Sequence, residues 1–394
     1  MARVIEKKDP NGYEMRIRKH KQHVIAVTCG ILAAVVIICV FMVNAYVNRT
    51  FSSYQISKSI KREDTAGANY MSYGEYILKY SQDGASAIGK DGKTLWNGSY
   101  EMRNPKAAVC GDYVAIADIG GKEIYVFNGK DSGTKVKTTK NIIQIDVAKQ
   151  GVIAVLTEDK LANQVQIIDP YTSVDQVLVD SQTGVQKNGF PVDIALSNDG
   201  TKLVTSYMSV NNGVIKNKLT FYNFGDTSKK EQKIVGMKDF DSSIIAKVDF
   251  VNNDTVCAFS DNSVTFFDMK EVNKEIKTKK FENPIKSIFY NSDYVGVVTE
   301  DYSKSSKYLV EVYNTDGSEE LSKKINYDYE QVDISGKEII FSTGVECRIL
   351  KVNGVEKFHY TFDKTIYRVF PINNYNYYFL VTDNNIEVIK LTEE

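Results

Sequence analysis

Two spacings of apolar residues divide the chain. From Val24 to Val43 the run VIAVTCGILAAVVIICVFMV has Thr28 as its only clearly polar side chain. As a helix rising about 1.5 Å per residue it spans about 30 Å, the thickness of a bilayer's hydrocarbon core. Beyond it the pattern shortens. Residues 54–394 alternate short runs of Val, Ile, Tyr, Phe and Thr with Gly, Asn and Asp turns, and the whole chain holds only six prolines. No 3.6-residue period is sustained, so this region is predicted to be all-β.

The β-rich part repeats itself. The recurring unit is an apolar strand, a turn, a second apolar strand, another turn and a third strand, and its clearest copy is DIALSNDGTKLVTSY (Asp193–Tyr207) followed by KLTFYNF from Lys218. Related first hairpins begin near residues 107, 145, 247, 287 and 331, with more divergent copies at 69–84 and 368–384. Taking Gly74, Gly111, Gly151, Gly200, Asp254, Asp293, Gly336 and Tyr375 as equivalent turns gives steps of 37, 40, 49, 54, 39, 43 and 39 residues. Their mean of 43 is the period of a four-stranded propeller blade. The expectation is an all-β propeller of eight blades, or seven if one divergent unit is miscounted, as the single domain 48–394.

The last unit ends with its third strand near Leu391 and lacks a fourth. An unpaired edge is normally covered, and the alternating segment SYQISKSIKRE (Ser53–Glu63) is placed to supply the missing outer strand. With strands lettered a to d from axis to rim, the a–b and c–d turns share one face, and the b–c and d–a loops share the other. An outer strand fed from the anchor starts on the a–b face, which is then expected to look toward the membrane. Three long connections fall on the outward face: 207–218, 301–307 and 180–191. Long loops gathered on one face of a repeat array mark a binding face, although drift in solvated loops gives the same pattern. Tyr207, Met208, Asn211, Asn212 and Tyr302 are the candidate partner-binding residues.

Charge orients the anchor. The net charge of −1 comes from 49 Lys and Arg against 50 Asp and Glu. It conceals residues 1–23 with seven basic and three acidic residues, and residues 48–394 with 42 basic and 47 acidic. The positive-inside rule leaves 1–23 in the cytoplasm, makes 24–47 the transmembrane helix in contact with the lipid bilayer, and puts the propeller outside. The competing reading is a signal peptide cleaved after Ala45, against which stand a long n-region and a long apolar core. An acidic ectodomain gives no reason to expect nucleic acid.

Catalytic chemistry is hard to assemble. Three histidines are present, and His20 and His23 fall in the stub. His359 is left alone in an outer-strand pattern, so no Ser-His-Asp or metal-protease constellation has its parts. Cys29 and Cys39 lie in the apolar span, and Cys110, Cys257 and Cys347 lie in different repeats. That odd number argues against a disulfide framework and suits small buried hydrophobes. Turns such as SNDGTK and NTDGSE do not keep calcium-loop spacing, and 270–281 reads as a solvated outer strand. A pair of acids for glycoside hydrolysis remains open, because nothing in the sequence singles one out. No cofactor or metal is expected. Trp96 in GKDGKTLW echoes the closing motif of quinoprotein propellers but occurs once.

With GEYILKYSQDG (Gly74–Gly84), VCGDYVAIAD (Val109–Asp118), Asp193–Tyr207, DTVCAF (Asp254–Phe259) and GVEKF (Gly354–Phe358) in view, the chain resembles a family of uncharacterised single-pass membrane proteins of clostridial Gram-positive bacteria, known only as a domain of unknown function. Individual turns are also similar to those of WD40-like and YVTN-type propellers. The resemblance implies a cell-surface propeller and no reaction. Two functions follow as expectations. One is a scaffold binding another envelope or surface protein. The other is a propeller enzyme or carbohydrate-binding module working in the central channel, which an apolar, plugged channel would remove.

Overall fold

The short alternating runs become the strands of eight four-stranded antiparallel sheets. They are seen in a computed structural model that describes residues 10–62, 67–130, 132–158, 162–172, 177–184, 189–225, 234–241, 243–303, 305–372 and 375–393. Seven sheets follow chain order as blades 1 to 7, over 69–99, 105–137, 141–184, 190–241, 245–280, 285–325 and 331–361. The eighth combines 366–392 with Ser53–Lys61. The eight-blade count holds, and so does the closure: Ser53–Lys61 pairs antiparallel with Asn385–Thr392 from Ser53 opposite Thr392 to Lys61 opposite Asn385.

The turns explain why these runs form hairpins. Gly74, Gly111 and Gly336 open two-residue a–b turns at φ of +56°, +59° and +54°. A side chain there would be strained, and glycine is not. Strand a carries a bulge at the same place in five blades, between Ile142 and Gln144, Pro191 and Asp193, Ile245 and Lys247, Ile285 and Ser287, and Ile366 and Arg368. Bulges bend a strand and re-aim the side chain that follows. In all five strands that residue is polar.

The core is a ring of interfaces. Eight buried apolar clusters each join two consecutive blades, from Tyr73, Trp96 and Phe127 between blades 1 and 2 to Tyr70, Ile77 and Phe379 between blades 8 and 1. No blade can bury its faces alone, so closing the ring completes the core.

The closure is clamped at both ends of the N-terminal strand. At its start, Phe51 N donates to Lys357 O at 2.7 Å, and the Phe51 ring is buried between blades 7 and 8. Lys357 is itself fully buried, donating to Glu338, to Tyr375 O at 2.5 Å and to Tyr378 Oη at 2.9 Å. Burial lowers its pKa, against the pull of Glu338. At the other end, Arg62 donates to Thr382 O at 2.5 Å, and its guanidinium carbon lies 5.1 Å from the ring centroids of both Tyr70 and Tyr367.

The N-terminal residues form a second compact unit, Met1–Thr50. Its helix runs from Pro10 to Val47, longer than the apolar run because no breaker separates the basic stub from it. Within Met15–Val47 an 18-residue window reaches a mean hydropathy of 3.0, and none of that window is buried. By length and composition this helix suits a membrane span or a signal sequence.

Candidate functional site: the central channel

Strand a of every blade contributes to one cavity of about 820 Å³ around the propeller axis, within the usual range for small-molecule sites. Its lining includes Tyr70, Cys110, Gln144, Asp146, Asn198, Lys247, Asp249, Tyr290, Asp333 and Arg368. It is neither apolar nor plugged, so the condition that would have removed the channel reading is not met.

The polar groups form a chain across blades 3 to 6. Asp146 accepts from Val147 N at 2.8 Å and, across the blade boundary, from Leu196 N at 2.7 Å. Asp193 repeats the stitch one blade on, accepting from Val248 N at 2.9 Å and from Gln144 Nε2 at 3.0 Å. Lys247 Nζ lies 3.2 Å from both Asp193 Oδ2 and Asp249 Oδ2. From blade 6, Tyr290 Oη donates to Asp249 Oδ2 at 2.5 Å. Each bond between blades satisfies a group that would otherwise be orphaned at the axis.

This crowding moves the titrations. Burial, and then the Asp249 charge, push the Asp146 carboxyl up to about 7. Asp193 is also raised, because burial outweighs the nearby ammonium. Burial alone would lower Lys247, but Asp249, Asp193 and Asp146 hold its pKa above the ordinary lysine value. Tyr290 is raised by burial and by Asp249. Burial and Asp146 push the Cys110 thiol up to about 11, and Cys110 donates to Asn198 Oδ1 at 3.3 Å. Three carboxylates therefore share one ammonium. On blade 8, Arg368 donates to Gln331 Oε1 at 2.6 Å.

The loop residues are placed differently from expectation. Residues 207–218 are not an inserted loop. Blade 4's second and third strands are simply longer, Lys202–Asn211 and Val214–Asn223, and are paired throughout. Asn212 and Gly213 make their turn at φ of +50° and +79°, the geometry Asn-Gly favours in a two-residue hairpin. Tyr207 is 2% exposed and points into the propeller, so it cannot meet a partner. Met208 is half-buried and pairs with Asn217, while Asn211 pairs with Val214 at the hairpin tip. Asn212 is exposed. Tyr302 is 75% exposed, and its hydroxyl donates to Glu300 at 2.8 Å. Its loop is held by Asp301, which accepts from Ser303 N at 2.9 Å and pairs with Lys324 at 2.8 Å. In the third segment Val177–Gly184 is a strand rather than a loop, and 185–188 lie outside the described residues.

Other expectations fare better. His359 is an exposed residue of the outer strand Glu356–Thr361, beside Glu346, Nε2 to Oε1 2.8 Å. Cys257 and Cys347 are buried thiols, and Lys274–Lys280 is a largely exposed outer strand. Trp96 packs between blades 1 and 2, stacked on Phe127 at 4.5 Å.

The charged channel residues were missed in the sequence, where their strands counted as apolar. The signal was the repeated order of apolar, any, polar, apolar in IIQI, PVDI, IAKV, IKSI and IYRV. It becomes meaningful once the bulge is known.

Residues 47–391 match a family described as a family of unknown function, DUF5711. The chain belongs to this family. No curated protein matches it. Among solved structures, BamB from Moraxella catarrhalis aligns with a TM-score of 0.51 at 12% identity, over 86% of this chain and all of that one. The Pan2 WD40 domain of Neurospora crassa aligns at 0.45 and 8% identity, over 86% and 96%. Hydrazine synthase of Kuenenia stuttgartiensis aligns at 0.47 and 11% identity, over 76% and 99%. The BamB match shows a shared fold and no shared activity.

Proposed function

We propose that this family member is a membrane-tethered scaffold whose propeller, outside the cytoplasm, binds another envelope or surface protein with the face carrying the b–c and d–a loops. The observation that carries the reading is blade 4. Val210 and Val214, at the tip of its long hairpin, are exposed, as are Phe190 and Ile244 on the same face. Single exposed apolar residues need no explanation, but three on one face of blade 4 and a fourth in its link to blade 5 fit a contact surface. The tether follows from the apolar helix and the basic residues before it, with the bilayer touching 24–47. The chain enters the ring on the a–b face, opposite the face that carries blade 4's hairpin.

A photo-crosslinking residue at Val210 or at Tyr302, in the full chain in intact membranes, tests the reading against one at Lys90 in a c–d turn. Discrete protein adducts are expected from the first two positions and not from the third. Equal adducts from both faces, or none, would overturn it. The open, polar channel favours a second reading beside the first, in which the channel takes a small polar ligand.

A further inference from the structure

The channel holds two charges of opposite sign that do not neutralise each other. Asp146, on blade 3, has both oxygens on backbone N–H groups, and among the described residues no ammonium or guanidinium lies within 4.0 Å of it. Among the described residues Arg368, on blade 8, makes one side-chain hydrogen bond, to the neutral Gln331, and has no carboxylate within the same distance; Asp333 of blade 7 feels its charge from farther away. Both line the same cavity. In a ring of eight, blades 3 and 8 are three steps apart one way and five the other, so the two groups lie on facing walls. Beside Asp146, Lys247 neutralises one of the carboxylates of Asp193 and Asp249, leaving that wall negative.

The walls between the poles suit a peptide. Strand a is the inner edge of each sheet; Asp146, Asp193 and Asp333 cap Val147 N, Leu196 N, Val248 N and Ile334 N along it, and its remaining edge groups have no neighbouring strand to pair with. Such edges pair with extended peptide backbone. Tyr290, Asn198 and Asn291 add side-chain donors and acceptors to the lining. A bare metal ion fits less well, since no group of three or more His, Cys, Asp or Glu among the described residues is arranged to hold one. A neutral sugar would bring no charge to either pole.

We propose that the central channel binds a short zwitterionic peptide, its ammonium end at Asp146 and Asp249 and its carboxylate end at Arg368. The proposal rests on the reading that the channel takes a small polar ligand, and it names the class. The ammonium end must find Asp146 ionised. Around that carboxyl are Asp249 and Lys247 of blade 5, Cys110 of blade 2, Tyr290 of blade 6 and Lys149 just past the end of its own strand, with Asp193 of blade 4 on the other side of Lys247. With a proton leaving near pH 7, the ionised fraction rises about fivefold between pH 6 and pH 7, while a peptide amine stays almost fully charged. Binding is therefore expected to tighten by up to about fivefold across that unit.

The test is calorimetric titration of the full chain in detergent micelles with glycine, diglycine, triglycine and tetraglycine. Their N-acetylated and C-amidated forms are titrated in parallel, with N-acetylglucosamine as the neutral sugar. At least one free peptide is expected to bind saturably, with each cap weakening it tenfold or more. In Asp146→Asn the acetyl cap should cease to matter and the pH dependence should disappear, and in Arg368→Gln the amide cap should cease to matter. Arg368 makes a single side-chain bond, so the second variant keeps the test decisive if the first fails to fold. Sugar binding without peptide binding would overturn the peptide and leave the channel reading standing, and no binding by any probe would overturn both. Peptide binding indifferent to the caps or to both substitutions would also overturn the proposal.

Discussion

Replacing Lys247 with methionine tests the electrostatics of the channel most directly. Methionine keeps much of the side chain's length and removes its charge. The ammonium lies 3.2 Å from a carboxylate oxygen of Asp193 and of Asp249. At an effective dielectric of about 20 each contact carries about 5 kcal/mol of gross attraction, most of it offset by the cost of desolvating the ions. Removing one partner of a buried pair typically costs about 3–5 kcal/mol. Lys247 is 33% exposed to channel water, so we expect somewhat less than that, about 2–4 kcal/mol at pH 8.

The sign of the pH dependence follows from the proton balance. Asp146 and Asp193 have folded pKa values above those of the unfolded chain. The native state therefore holds extra protons from about pH 4 to about pH 7, and stability falls as pH rises through that window. Without Lys247 the carboxyls are pushed higher still, and the fall steepens. The cost of Lys247→Met should be about 1 kcal/mol or less at pH 5 and reach its full size by pH 8. Urea unfolding of the full chain in micelles, followed by circular dichroism and by the fluorescence of Trp96, the single tryptophan, measures it. Trp96 sits between blades 1 and 2, far along the chain from blade 5, so coincident curves also test whether the ring unfolds as a unit. A cost below about 0.5 kcal/mol at pH 8, or one equal at pH 5 and pH 8, would refute the reasoning.

Phe51→Ala should destabilise the propeller by about 3–5 kcal/mol, because the ring is buried between blades 7 and 8 where the N-terminal strand closes the circle; urea midpoints check this. Glu338→Gln leaves the ammonium of Lys357 buried without its carboxylate, at a cost of about 3–5 kcal/mol at pH 7. Because a lysine with a lowered folded pKa binds fewer protons when folded, that gap should narrow as pH approaches 10. Gly296→Ala would put a Cβ 1.9 Å from Phe289 Cε2, and overpacking of this kind should cost about 1–3 kcal/mol, read as a lower melting temperature. Protease shaving of intact cells carrying an N-terminal tag should remove the propeller and leave the tagged helix. A protected propeller would reverse the orientation proposed above.

Periodicity alone carried much of the architecture. The strand-turn-strand unit at a mean of 43 residues pointed to four-stranded blades and a count of eight or seven, because turn chemistry is local and each hairpin needs its turn residues wherever it folds; the sheets decide for eight. The missing fourth strand of the last unit pointed back to Ser53–Glu63 for a similar reason, since an unpaired edge must find a strand and one alternating segment was unassigned. The apolar run at 24–43 was equally local, for length and composition suffice to recognise it.

Placement was decided elsewhere. Tyr207 reads as a loop residue until the register shows that blade 4's strands run on to Asn211 and restart at Val214, which buries it. Asp146, Asp193, Lys247, Asp249 and Arg368 are scattered over more than 220 residues of chain. They meet only because a closed ring brings every strand a to one axis, where the residues after the bulges in three of those strands, Gln144, Lys247 and Arg368, line the cavity. Sequence spacing reports which neighbours a residue has along a strand. Which charges share a cavity, and hence which are left unpaired, depends on contacts between blades, and these form only when the circle closes.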